Sequence, residues 1–514
     1  MVDHSYHGLL NRRSFLKATG AGALASLTMS GRGTASVTDD YSTVIDVAEE
    51  GAATDGSEPI TPLLNDLQQD DTLYVFPEGE YYMDEQFRFT GFENVGFVGN
   101  DATIVPADYD NFDDKGHGVY RLFRLGTYVS PGKHLRFTGF DVDQTAPETG
   151  VRVIDAVVDD ELVVRDIHID GQADMGCAGT ARFAVSDPDG TGIVERFEAP
   201  DGAAWGQNTP RGDEIHRGGT GILSNTYNRG TLLFKDCVLN AFPNTGLYAA
   251  WGPGQIRVEG GRYANSNVAQ IRLGGTDSYV RWATIAVDDT RPHDETQRGI
   301  RLENGRNLRV LDSELSITSP GPNNHAITVG DRAESAWIED VYIDIFGDEP
   351  NSGIVVADGA GETTIYKTDL DMGVPSGYGI WLQEAADAPT VNCETVDITG
   401  DAGDDGARSA IFNARDNAEF REITVDQTGA PYRNALQNWA DDVLIYDCGL
   451  TSSNYAIKDY GSGTWIEATY ANATRGVEGL LLGVGSDGAL VKENTLVDGI
   501  EPRGGDYRAW DNTY

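Results

Sequence analysis

The chain has 514 residues, 39% of them hydrophobic, and carries 82 acidic against 38 basic side chains for a formal net charge of −44. A field of that sign repels phosphate backbones and anionic lipid surfaces, which argues against nucleic acid or a charged membrane as partner. The apolar content suffices for a large core, and the length fits either several domains or one long repeat fold.

Residues 1–35 read as a leader. Asn11-Arg12-Arg13-Ser14-Phe15-Leu16-Lys17 precedes a weakly apolar run, Ala18 to Leu27, with a cleavage point after Ala35. This is the pattern of a twin-arginine export signal. The run is too short and too rich in Gly and Ala to span a bilayer. No lipobox Cys follows it and no apolar tail closes the sequence. The expectation is a soluble, secreted protein that folds before export, with no membrane insertion; no oligomeric state is read.

Residues 36–72 are expected to hold an entry strand and a capping helix. Ile60, Leu63, Leu64 and Leu67 fall at i, i+3, i+4 and i+7, with Thr61 placed for the N-cap and Pro62 for the first helical position. The helix should cover the N-terminal end of the core, whose sheet edges would otherwise stay bare.

Residues 73–500 carry a repeat, clearest from residue 220: a small residue, an aliphatic, an outward residue, a second inward residue. It runs through TGILS (220–224), TGLYA (245–249), AQIRL (269–273), RGIRL (298–302), HAITV (325–329), SGIVV (352–356), YGIWL (378–382), SAIFN (409–413), NALQN (434–438) and YAIKD (455–459). The pattern extends back to LFRLG (122–126) and GVRVI (150–154). Further alternating runs such as TLLFKDCVL and WIEDVYIDI lie between, with Gly, Asn and Asp at the joints. A rung of roughly 25 residues with two or three short strands cannot bury its apolar face alone, and stacking gives one continuous core. The fold expected is all-β, a single-stranded parallel β-helix. Segment 171–219 breaks the pattern and reads as an inserted loop; 501–514 reads as a tail. Cys177, Cys237, Cys393 and Cys448 fit neither a disulfide framework nor a zinc motif. Cys237, Cys393 and Cys448 are expected as small buried residues at equivalent turns.

Two resemblances follow. Dense Asp and Glu with only seven Lys resembles proteins of extreme halophiles. The stretch VIDVAEEGAATDGSEPITPLLNDLQQDDTLYVFPEGEYYM (44–83) resembles the N-terminal entry of pectate-lyase-like proteins. That resemblance implies a right-handed β-helix and a superfamily of polysaccharide lyases, polygalacturonase-type hydrolases, uronan epimerases, tailspikes and adhesins, so fold alone does not fix function. The hydrolase motifs are missing: Gly116-His117-Gly118 stands too early and without ordered partners. Pro292-His293-Asp294-Glu295-Thr296 echoes the epimerase motif, but Arg291 stands in place of its Asp, and the segment reads as a surface loop.

Candidate residues come from the repeat. Residues two apart share a strand face. The outward row is Arg124, Arg152, Leu223, Tyr248, Arg272, Arg301, Thr328, Val355, Trp381, Phe412, Gln437 and Lys458, beside a row of Gly and Ala two residues earlier. A small row beside a large one is expected to form a trough, in which Tyr248, Arg152, Trp381 and Phe412 would bind sugars. Arg272 and Arg301 should stack on successive rungs, so an anion is expected between them: Glu303 in a bracing ladder, or a uronate or sulfate of a substrate. By resemblance to β-helix lyases, where an arginine or lysine serves as base on a uronate, Arg301 or Arg272 would be catalytic. Asp331, Asp358 and Glu384 recur four residues beyond their inward Ile and read as a Ca²⁺ site, a hydrolase pair or solvated surface acid. Asp213, Glu214 and His216 offer acid–base groups in the 171–219 segment. The functional expectation is a polysaccharide lyase or glycosidase acting on an acidic, uronate-containing polysaccharide; the alternative is a non-catalytic glycan-binding or structural surface β-helix.

Overall fold

The computed structural model describes residues 38–112, 120–175, 179–210, 218–318, 321, 324–386, 389–406 and 408–514. The chain divides into two compact units, Met1–Ser42 and Thr43–Tyr514. The export signal lies outside the described residues; the described part of the first unit holds a 3-10 turn at Thr38–Asp40.

Thr43–Tyr514 is a parallel β-solenoid of about 16 turns. A representative turn runs Thr245–Ala249, Ile256–Glu259, Arg262–Ala264, then returns at Ala269–Gly274. Each strand pairs in parallel with its counterpart one turn on, which generates three sheets along the stack. The recurring aliphatics are in register, Ile222 on Leu247 on Ile271 on Ile300 and onward to Ile457, and all are fully buried. Each such side chain contributes about 1.5–3 kcal/mol relative to exposure, and only the neighbouring turns make that burial complete.

The corner between the second and third sheets is a single left-handed residue, turn after turn: Asp236, Trp282, Asp312, Asp340, Lys367, Thr395, Glu422 and Asp447 have φ between 46° and 57°. Asp tolerates this conformation; Trp282, Lys367 and Thr395 adopt it at a cost of about 1–2 kcal/mol each, imposed by the stack on both sides. The N-terminal turns are filled by rings, with Phe97, Phe123, Phe137 and Phe140 packed at centroid distances of 4.8 to 6.0 Å. Later turns carry polar interiors. Asn413 donates to Asn438 and Asn438 to Asp459, each at 2.8 Å, inside the coil.

Several expectations need correction. Segment 171–219 is not one inserted loop: Ala181–Val185 and Thr191–Ala199 pair with strands on both sides and complete a turn of the solenoid. Its inward residues Ala181, Phe183 and Val185 lack the Gly-Ile signature, which hid it. Likewise 501–514 is not a tail, since Ile500–Pro502 and Tyr507–Trp510 stack on the previous turn. The helix is shorter than expected, Thr61–Asp66, and Thr61 lies inside it, with Ile60 at the N-cap and the Thr61 hydroxyl donating to the Glu85 carbonyl instead of capping. Of the cysteines, Cys237 and Cys448 sit at the corner, but Cys393 lies within a strand, paired with Ile365 and Phe420. No helix among the described residues is long and apolar enough to cross a membrane.

Candidate functional site

The first sheet carries the outward row. From Leu223 the register runs through Tyr248, Arg272, Arg301, Thr328, Val355, Trp381, Phe412 and Gln437 to Lys458. The small row beside it does not form a trough wall. Gly221, Gly246, Gly299, Gly353 and Gly379 are buried. A Cβ on Gly299 would sit 2.3 Å from the Ala326 carbonyl oxygen, and one on Gly353 would meet Gly379 O and Leu370 at 2.4 Å. These residues are small because consecutive turns approach closely at this corner.

Arg272 and Arg301 stack as expected, with Glu303 between them. Glu303 follows Arg301 by two residues on the same strand, where the register to the next strand shifts between Leu302 and Asn304. Such a bulge re-aims a side chain, and here the carboxylate reaches back to both guanidinium groups. Glu303 Oε1 accepts from Arg272 Nε at 2.8 Å and lies 2.7 Å from Arg272 NH2 in the same ion pair. Arg301 Nε is also 2.8 Å from Oε1, but its N–H does not point along that line, so the contact is an ion pair without an aligned hydrogen bond. The Arg272 guanidinium also lies over the Tyr248 ring, 4.2 Å from its centroid.

Arg272 is thus committed on two sides. Arg301 is not: its side chain is 26% exposed against 15% for Arg272, and its terminal NH groups make no hydrogen bond among the described residues. Two cations share one carboxylate, which leaves a local positive excess in a strongly acidic chain.

A second column, not singled out from the sequence, builds the side of this face. It is the residue opening each repeat: Arg298, His325, Ser352, Tyr378, Ser409, Asn434. His325 sits beside Arg301's rung, with Nδ1 3.2 Å from Thr328 Oγ1. Burial pushes its imidazole down to about 4, and Arg298 and Arg301 push the same way. It is therefore neutral around pH 7. Its ring meets Trp381 edge-on at 6.3 Å. Tyr378 lies 5.5 Å from Trp381 and 5.1 Å from Phe412, so Trp381 and Phe412 belong to a four-ring cluster that covers Val355 and leaves it buried. The sequence carries this column as the residue that opens each repeat, His325 and Tyr378 among them, one position before the small residue.

Arg152 is not on the row. It is 3% exposed, donates from Nε to Gly179 O at 2.9 Å and pairs with Asp155 at 3.1 Å. Val151-Arg152-Val153-Ile154 is buried on both faces, and it is Ile154 that pairs with Phe123, which gives the row position to Asp155. Asp155 is buried under Arg121, Arg152 and Arg182, whose charges outweigh burial and hold its carboxyl below the usual range. Asp331, Asp358 and Glu384 are all exposed; Asp331 and Glu384 lie in the last residues of their strands, His325–Ala333 and Ile380–Ala385, and Asp358 in the turn after Ser352–Val356. They do not gather: among the described residues no group of three or more His, Cys, Asp or Glu is arranged to hold a metal ion. Asp213, Glu214, His216, Cys177 and His117 lie outside the described residues.

No protein-family model matches the chain, and no curated protein matches it. Among solved structures it is similar to the A-module of mannuronan C-5 epimerase AlgE6 from Azotobacter vinelandii, at 13% identity and a TM-score of 0.43, over 77% of this chain and 95% of that one. It is similar to PfbA, a surface adhesin of Streptococcus pneumoniae, at 10% identity and 0.35, over 92% and 93%. It is also similar to the catalytic unit of a GH87 α-1,3-glucanase from Streptomyces thermodiastaticus, at 11% and 0.33, over 92% and 70%. At these identities and scores none of the three carries a function over, and the fold rests on the strand register itself.

Proposed function

We propose that the protein is an exported polysaccharide lyase that binds a uronate-containing glycan along the first-sheet face. The observation that carries this reading is the uncommitted end of Arg301, beside a neutral His325 and an aromatic cluster. A guanidinium with two free NH groups suits a planar carboxylate, which it holds bidentately. Pairing the uronate carboxylate with Arg301 acidifies the adjacent C5 proton. In the tautomer that donates Nδ1–H to Thr328, His325 Nε2 is a free acceptor for that proton. The electron pair left on C5 forms the C4–C5 double bond as the C4–oxygen bond breaks; the leaving oxygen takes a proton from water, and the His325 imidazolium returns its proton to solvent. A glycosidase is less well supported, because Glu303 is held by two arginines and no other carboxylate stands on the row from Tyr248 to Lys458.

The second reading, glycan binding without turnover, draws on the ring cluster of Tyr378, Trp381 and Phe412, which suits the CH faces of sugars by itself. A panel of uronate polymers separates the two. The lyase reading expects unsaturated uronate products, abolished in Arg301→Ala and reduced at least a hundredfold in His325→Gln. Retention of a polymer with no unsaturated or reducing product supports the binding reading. Retention of none refutes both.

A further inference from the structure

The row that carries Arg272 and Arg301 ends in a second cationic group. Lys458 lies six rungs beyond Arg301, through Thr328, Val355, Trp381, Phe412 and Gln437, or about 29 Å at ~4.8 Å per rung. Trp381 and Phe412 occupy the row between the two groups.

Around Lys458 three residues close on one another. The Tyr455 hydroxyl donates to Glu501, Arg503 Nε donates to Glu501 Oε1 at 2.7 Å, and Arg503 NH2 donates to the Tyr455 oxygen at 3.1 Å. Both oxygens of Glu501 are thereby taken. Lys458 Nζ sits over the Tyr455 ring at 5.4 Å and makes no ion pair among the described residues. Lys133, Lys235 and Lys492 each rest on a glutamate. Lys367, over the Tyr366 ring, also lacks one among the described residues but is exposed; Lys458 differs in being half-buried, in a chain with more than two acids per base. Its ammonium is pulled down first by burial, then by Arg503 and Arg408, with Glu501 opposing weakly. Lys458 and Arg503 thus stand beside one carboxylate, Glu501, whose two oxygens are already bonded.

We propose that Lys458, with Arg503, is a second anion subsite that takes a carboxylate or sulfate of the same extended glycan held at Arg301. The face then selects long anionic chains able to reach both cationic groups across the rings. This rests on the glycan reading of the Arg301 site for its ligand, but the anion subsite itself does not.

The test is acylation of the intact protein followed by mass spectrometry, which reads the reactivity of Lys458 directly. Probes are sodium sulfate, short oligogalacturonates, long oligogalacturonates, and sodium chloride at matched ionic strength. The expected result is several-fold protection of Lys458 by sulfate and by long oligomers, with short oligomers needing a higher carboxylate concentration for the same protection, and none by chloride. In binding titrations Lys458→Gln should weaken long oligomers about tenfold and leave short ones unchanged, with Lys458→Arg restoring affinity. Glutamine already stands one rung earlier at Gln437, so the variant suits the sheet. Protection by sulfate without protection by any oligogalacturonate would keep the anion subsite and sink the uronate reading. Oligomer binding that depends on Arg301 but leaves Lys458 unprotected would overturn the proposal alone. No protection by any anion would also overturn it.

Discussion

Glu303→Gln is the sharpest perturbation of the site. The carboxylate is 5% exposed and lies within 2.8 Å of both Arg272 and Arg301. Removing its charge leaves two guanidinium groups on adjacent rungs, ~4.8 Å apart. At an effective dielectric of 20 their repulsion is about 3.5 kcal/mol, within the range of about 3–5 kcal/mol for breaking a buried ion pair. Because both arginines keep partial solvent contact, a net loss of about 3 kcal/mol is expected. Global melting is a poor assay, since a solenoid opens in sections. Amide exchange in Ala269–Gly274 and Arg298–Gly305 is the right one. These strands should exchange about a hundredfold faster in the variant, and sulfate or an oligouronate should recover part of the protection. A change below about threefold, with no response to anions, would show that Glu303 is not the counter-charge the geometry makes it.

Three further outcomes follow from the same structure. His325 has a depressed folded value of about 4 against 6.5 unfolded, so the unfolded chain binds the extra proton between these values. Stability should hold above pH 6.5 and fall as the pH drops towards 4, by at most about 3 kcal/mol; exchange in His325–Ala333 should show that slope, and an identical slope in His325→Gln would contradict it. Asn438→Leu should destabilise its turn by about 2–4 kcal/mol, because the Asn413 amide and the Asp459 carboxyl lose a buried partner; unchanged amide exchange in Ser409–Arg415 and Asn434–Asn438 would refute this. Trp381→Ala should weaken oligouronate binding about threefold to tenfold without moving the Glu303 contacts, as calorimetric titration would show.

The solenoid was legible because one inward aliphatic per turn recurs with a small residue before it, and that periodicity survives variation in loop length. The pair of arginines was legible for the same reason, since equivalent repeat positions must stack. What escaped had local causes. Arg152 lies among aliphatics of both parities, Val151, Val153 and Ile154, so the pattern leaves its face ambiguous. The small row was read as a trough wall, although glycine there answers a carbonyl of the next turn. The bulge at Glu303 is a register shift that no pattern of residue types announces. His325 and Tyr378 were visible as repeat-opening residues, but only the packed rings show that they stand over the row. The acidic series Asp331, Asp358 and Glu384 recurs in sequence and still fails to converge: all three side chains are exposed, two at the ends of strands and one in a turn.

The central claim is that the first-sheet face from Tyr248 to Phe412 holds an anionic glycan through Arg301. Amide exchange with and without a long oligogalacturonate, in the wild type and in Arg301→Ala, tests it most directly. The account predicts protection concentrated in Arg298–Gly305, His325–Ala333 and Ile380–Ala385, lost in the variant. Protection confined to the second or third sheet, or equal in both proteins, would contradict it.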